Sequence, residues 1–143
     1  MNDDSPIIIV NLKAYEQGYG ANGFDLCKIM EEIALEHKVN LAAAVSPIDL
    51  VDFSDNLDIP IFAQHVDGVN FGSHTGSILP EAVRYSGAVG TLVNHAECQI
   101  SWEEIEKTIN RCKELDLLTV LCTADIASSE KGSHLNPDMI AVE

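Results

Sequence analysis

Six short apolar runs recur along the chain: Ile7 to Val10, Leu41 to Val45, Ile59 to Phe62, Ala88 to Val93, Leu117 to Cys122 and Met139 to Val142. They are continuous rather than alternating, the pattern of strands covered on both faces. Between most of them the apolar positions switch to helical spacing. Phe24, Cys27, Met30, Ile33 and Ala34 keep that spacing, with Glu31, Glu32 and Glu36 on other faces. Ser101 and Glu104 form a capping-box pattern that opens a helix striped by Ile105, Ile109 and Cys112. Ser46 and Pro47 predict a shorter helix through Leu50, Val51 and Phe53. Pro80 predicts another through Ala82, Val83 and Tyr85, and Asp125 to Lys131 one or two further turns. Strand alternating with helix predicts an α/β fold with a parallel sheet and right-handed crossovers. Two architectures satisfy that pattern, an open doubly wound sheet or a piece of a (β/α) barrel.

Both architectures place chemistry at the C-terminal ends of the strands. Asn11 and Lys13, Gln64 and His65, Asn94 and His95, Thr123 and Glu143 stand there. Neither G-x-G-x-x-G nor G-x-x-x-x-G-K-[ST] follows the first run, which counts against a nucleotide-binding open sheet. Each polar residue taken singly has a plain reading as well. Lys13 would be a surface lysine with its stem on apolar neighbours. His95 would be a hydrogen-bonded core histidine, with His65 its closest rival. Glu97 could pair with Lys13, making two costly buried charges one unit. Gly72-Ser73-His74-Thr75-Gly76 reads as a loop tip, and Glu143 as a solvated terminus.

Length and composition narrow the field. With 143 residues and 46% apolar content, one domain over residues 1–143 is expected. The longest apolar run is about five residues, against roughly 20 for a membrane span, and the acidic Met-Asn-Asp-Asp-Ser-Pro start is unlike a secretory leader. No membrane partner and a cytoplasmic location are therefore expected. Lys plus Arg number 8 and Asp plus Glu 23, a net charge of -15 that makes nucleic acid a poor partner. A phosphorylated small molecule would need local positive potential to be held in that field. Cys27, Cys98, Cys112 and Cys122 include no Cys-x-x-Cys pair, so neither a metal nor a disulfide is expected.

Taken in order, Asn11-Leu12-Lys13, Ala63-Gln64-His65, Gly72 to Gly76, Gly90-Thr91-Leu92-Val93-Asn94-His95-Ala96-Glu97 and Ala141-Val142-Glu143 resemble triosephosphate isomerase in its shorter archaeal form. The resemblance implies a TIM (β/α)8 barrel of which about the first six β/α units are present. It implies an isomerase of glycolysis and gluconeogenesis that interconverts dihydroxyacetone phosphate and D-glyceraldehyde 3-phosphate, with no metal and no organic cofactor. Glu143 would be the base that moves the proton, His95 the electrophile at the carbonyl and enediolate oxygens, an assignment for which this family is a standard worked case. Asn11 and Lys13 would bind substrate, with Lys13 offsetting enediolate charge. Glu97 would support Lys13, and Thr75 would reach a neighbouring subunit in a homodimer or homotetramer.

Family members carry Ser-Glu-Arg after the histidine, where this chain has Ala96-Glu97-Cys98. His65 stands where longer members tend to have asparagine. The sequence stops at Glu143, so the expectation is a chain truncated at its base, with the closing loop and the last two strands missing. Little isomerase activity is then expected of the 143-residue polypeptide. The alternative is a non-catalytic fragment or split-barrel module that assembles through open strand edges.

Overall fold

The computed structural model describes residues 6–142. Six strands alternate with five helices among them: β1 (Ile7–Asn11), α1 (Gly20–His37), β2 (Asn40–Val45), α2 (Leu50–Asn56), β3 (Ile61–Ala63), α3 (Pro80–Tyr85), β4 (Gly90–Val93), α4 (Trp102–Glu114), β5 (Leu118–Thr123), α5 (Ile126–Ser133) and β6 (Met139–Val142). All the strands pair in parallel, in sequential order from β1 to β6.

Period two sorts each strand's side chains onto two faces. One face carries Ile7, Ile9, Ala42, Ala44, Phe62, Leu92, Val120, Met139 and Ala141 in a single cluster. A flat sheet would hold its first and last strands roughly 24 Å apart at about 4.8 Å per step. Instead Ile7 and Ile9 of β1 and Met139 and Ala141 of β6 line one cavity of about 420 Å³, so the sheet curls into a half-barrel around a hollow. Gly90 makes the inner face close-packed, because a Cβ there would lie 2.4 Å from the Leu118 carbonyl oxygen and 2.6 Å from a Phe62 ring carbon.

The other face meets the helices. Cys27, Met30, Leu50, Phe53 and Val83 pack there on Ala43, Val45, Ile61 and Ala63, while Ile105 and Ile109 pack on Val93 and Leu121. Phe24 and Phe53 meet edge to face, centroids 5.5 Å apart. The capping box forms: Ser101 Oγ accepts from Glu104 N at 3.2 Å, and Glu104 Oε2 accepts from Ser101 N at 2.8 Å.

Several elements depart from the sequence pattern. Ile33 is left uncovered and shares a second, exposed apolar stripe on α1 with Leu26 and Ile29, so that helix is apolar over a wider arc than the sheet covers. Tyr85 is 94% exposed, because in the six-residue α3 it sits about 200° from the buried Val83. Ser46 does not cap α2; its carbonyl accepts from Asp49 N in a turn, and the helix begins at Leu50. At the sheet edges Ile8 and Ile140 are exposed on the outer face.

Candidate strand-end site

The C-terminal ends of β1, β3 and β4 converge on a small pocket of about 200 Å³, lined by Asn11, Lys13, Gln64, His65, His95, Glu97 and Cys98 among others. Four sequence-predicted site residues, Asn11, Lys13, His95 and Glu97, are thus brought together. Asn11 and His95 also border the 420 Å³ hollow, so pocket and hollow adjoin. A larger concavity of about 580 Å³ lies elsewhere, between the Asp67 to Ile78 loop and α4, and contains none of those four. Thr75 lies in the exposed tip of that loop and does not line the small pocket. Glu143 lies outside the described residues.

Period two along β1 would put Lys13 on the same side as Asn11, and both do line the pocket, but Lys13 arrives there by another route. β1 ends at Asn11, Leu12 is buried on the helix-facing side, and Lys13 adopts a left-handed backbone with φ 54°. The pleat therefore does not carry through to Lys13. Asn11 Oδ1 accepts from Lys13 N at 3.0 Å, the side chain bending its own loop back. Gln64 Nε2 secures the turn from β3, donating to the Lys13 carbonyl at 3.0 Å and to that of Ala44 at 3.2 Å. Gly18 packs beneath it, where a Cβ would fall 2.3 Å from the Leu12 carbonyl oxygen.

Lys13 Nζ donates to Glu97 Oε1 at 2.9 Å. The side chains are 33% and 61% exposed, so the pair forms but is not the buried unit the sequence suggested. The Lys13 hydrogen bond, with its charge, holds the Glu97 carboxyl below the usual carboxylate range. His95 is better covered, with a side chain 13% exposed. Its Nδ1 accepts from Glu97 N at 3.2 Å, while Glu97 Oε2 stands 3.7 Å from the same atom. A carboxylate would invite a proton on Nδ1, whereas the main-chain N–H can only donate. The nearer contact places the ring's proton on Nε2, making that nitrogen a donor.

Gln64 and Asn94 stand at strand ends, and their positioning work comes from tertiary contacts. Asn94 sits at φ 60°, donates through Nδ2 to the Cys122 carbonyl at 3.1 Å and accepts from Ile100 N at 3.0 Å through Oδ1. It thereby sets the turn that presents His95. Among the described residues no three His, Cys, Asp or Glu side chains are placed to hold a metal ion, and no helix is long and apolar enough to cross a membrane.

A curled parallel sheet in sequential order, helices outside it, and a polar cluster on the strand-end loops define a protein of the (β/α)-barrel class. The family model described as triosephosphate isomerase matches residues 6–138. The triosephosphate isomerase of Methanothermobacter thermautotrophicus is 43% identical over 140 residues, which is 98% of this chain and 61% of that one. That of Methanocaldococcus jannaschii is 42% identical over 137 residues, covering 96% and 63%. The chain belongs to the triosephosphate isomerase family. The crystal structure of triosephosphate isomerase from Bartonella henselae superposes with a TM-score of 0.72, covering 90% of this chain and 55% of the other; at 15% identity it speaks for the fold alone. The chain spans about 61% of the length of the Methanothermobacter relative.

Proposed function

We propose that residues 1–143 form the first six β/α units of a single (β/α)8 domain, and that this part carries the binding and electrophilic half of a triosephosphate isomerase site. The observation that carries the reading is the His95 geometry: a main-chain N–H meets Nδ1 at 3.2 Å, which favours the ring proton on Nε2, and the ring lines the same pocket as Asn11 and Lys13. Enolising a phosphorylated triose removes a weakly acidic proton beside a carbonyl, and the charge moves to oxygen. Nε2–H of His95 meets that oxygen, and the Lys13 ammonium offsets the developing charge and attracts the phosphate dianion. Asn11 shapes the Lys13 turn and contacts substrate, Glu97 holds Lys13, and Glu143 takes the proton. The reaction is the interconversion of dihydroxyacetone phosphate and glyceraldehyde 3-phosphate in glycolysis and gluconeogenesis, needing neither metal nor organic cofactor. Its setting is the cytoplasm, and its assembly a homodimer or homotetramer that uses the Thr75 loop.

The 420 Å³ hollow borders His95 and Asn11, whereas this chemistry needs a reacting centre closed to water. The 143-residue polypeptide assayed by itself is therefore expected to turn over slowly but still to bind. Nuclear magnetic resonance on the labelled chain tests the binding half. Dihydroxyacetone phosphate should shift the Asn11, Lys13 and His95 signals, and Lys13→Ala should abolish the response. No movement at those residues with millimolar ligand sinks the reading.

A second reading rests on the exposed Ile8 and Ile140 at the sheet edges: the chain is a module that closes its half-barrel against another chain. Native mass spectrometry separates the two, since assembly without any triose-phosphate response favours the module.

A further inference from the structure

The loops after β3 and β4 bring together a second set of reactive side chains. Cys98 Sγ lies 3.9 Å from His65 Nδ1, within reach of a weak S–H···N hydrogen bond. His65 Nε2 lies 3.2 Å from Asp67 Oδ1, and Asp67 Oδ2 accepts from Ile78 N at 2.7 Å. The fixed carboxylate draws the imidazole proton to Nε2, which leaves Nδ1 as the acceptor facing the thiol. Thiol, base and orienting acid thus follow one another in the order by which nucleophilic cysteines are activated.

Two more features make this a site for chemistry. Cys98 is exposed, whereas Cys27, Cys112 and Cys122 are buried. Cys98 and His65 also form part of the wall of the 200 Å³ pocket, where the charged or titratable neighbours are Lys13, Glu97 and His95. Lys13 and Glu97 there are paired with each other at 2.9 Å. The protein's net charge of -15 repels anionic reagents and leaves neutral ones unhindered.

The geometry points to Cys98 as a thiol that reacts with hydroperoxides, with His65 as its base and Asp67 as the residue that orients that base. The thiol proton passes to His65 Nδ1. The thiolate attacks one oxygen of hydrogen peroxide; the S–O bond forms, the O–O bond breaks, and the departing hydroxide takes the imidazolium proton as water. Sulfur is oxidised by two electrons to sulfenic acid and the peroxide is reduced. A group added to Sγ takes space from the pocket that Asn11, Lys13 and His95 share, so the redox state of Cys98 controls access to it. That consequence rests on the isomerase reading; the reactivity itself does not.

The test is peptide mapping of the 143-residue chain, without substrate, after timed exposure to iodoacetamide or to hydrogen peroxide with dimedone as the sulfenic-acid trap. Cys98 should label first. At pH 7 its rate should fall about tenfold in His65→Asn and less in Asp67→Asn, since an unassisted thiol is only a few per cent ionised there. At pH 10 the three rates should converge, because a free thiol then ionises unaided. Neutral iodoacetamide should outpace anionic iodoacetate. The buried Cys27, Cys112 and Cys122 report folding, so a variant in which they remain protected is a valid comparison. Equal rates at pH 7 in folded wild type and His65→Asn, or dimedone on another cysteine before Cys98, overturn the proposal.

Discussion

Lys13 Nζ stands 2.9 Å from Glu97 Oε1, joining the loop after β1 to the loop after β4 across 84 residues of chain. The same glutamate supplies His95 with its main-chain N–H donor. One residue therefore serves both partners, the lysine through its side chain and the histidine through its backbone. Glu97→Gln separates the two functions. The His95 ring should keep its Nε2–H tautomer, read from imidazole ¹⁵N shifts, while Lys13 loses its charged acceptor and becomes more mobile. A switch of the His95 proton to Nδ1 would show that the carboxylate sets the tautomer.

Asn94 combines a left-handed backbone with two hydrogen bonds to main-chain groups. Asn94→Gly removes the bonds but tolerates the conformation; Asn94→Ala removes the bonds and adds strain. Alanine should therefore be the more destabilising by about 1 kcal/mol in urea unfolding, on top of about 1 to 3 kcal/mol lost by both. Equal midpoints for the two variants would mean that φ 60° carries no strain here.

Gly18 and Gly90 are needed for close approach. Gly90→Ala forces a methyl against Leu118 and Phe62 in the packed inner face and should cost about 1 to 3 kcal/mol. Gly18→Ala presses on the Leu12 carbonyl instead, and should shift the Lys13 amide resonance more than those of β4.

Burial raises the Cys27 thiol to about 11 and the Cys112 thiol to about 12, from an ordinary value of 9.0. The folded chain then holds protons that the unfolded chain releases. Stability from these thiols is complete below pH 9 and is lost as pH rises through 11 to 12. Urea midpoints from pH 8 to 11 should fall less steeply in Cys112→Ala than in wild type. At the acid end the sign reverses. Glu31, held low mainly by the Asp58 N–H, and Asp125, held low by Ser128, add stability above their unfolded values that is lost as pH falls through their folded ones.

Most of the fold could be read from the order of apolar runs, because a strand buried on both faces and a helix striped at 3.6 residues leave their period in the chain itself. Ser101 and Glu104 were legible for the same reason: a capping box closes within three residues. Asp125 and Ser128 form an equivalent box on α5 that carries no Glu or Gln at its third position, and the pattern missed it. For the site, polar residues just past apolar runs marked Asn11, Lys13, Gln64, His65, Asn94 and His95 as candidates, while their partners remained undetermined.

By itself the sequence determined the alternation of strand and helix, the family motifs and the residue types waiting at the strand ends, all of which depend on neighbours a few positions away. Only the tertiary structure decided that Lys13 turns into the pocket through a left-handed backbone and meets an exposed Glu97. It alone brought Cys98 within reach of His65, and left Ile33 facing outward on a helix that the sheet covers on one side. Those outcomes follow from how parallel strands register and curl, which sets distances between loops whose contacting residues are 33 and 84 positions apart. Hydrophobic period places a side chain on one face or the other of its own element; it carries no information on which loop will stand opposite.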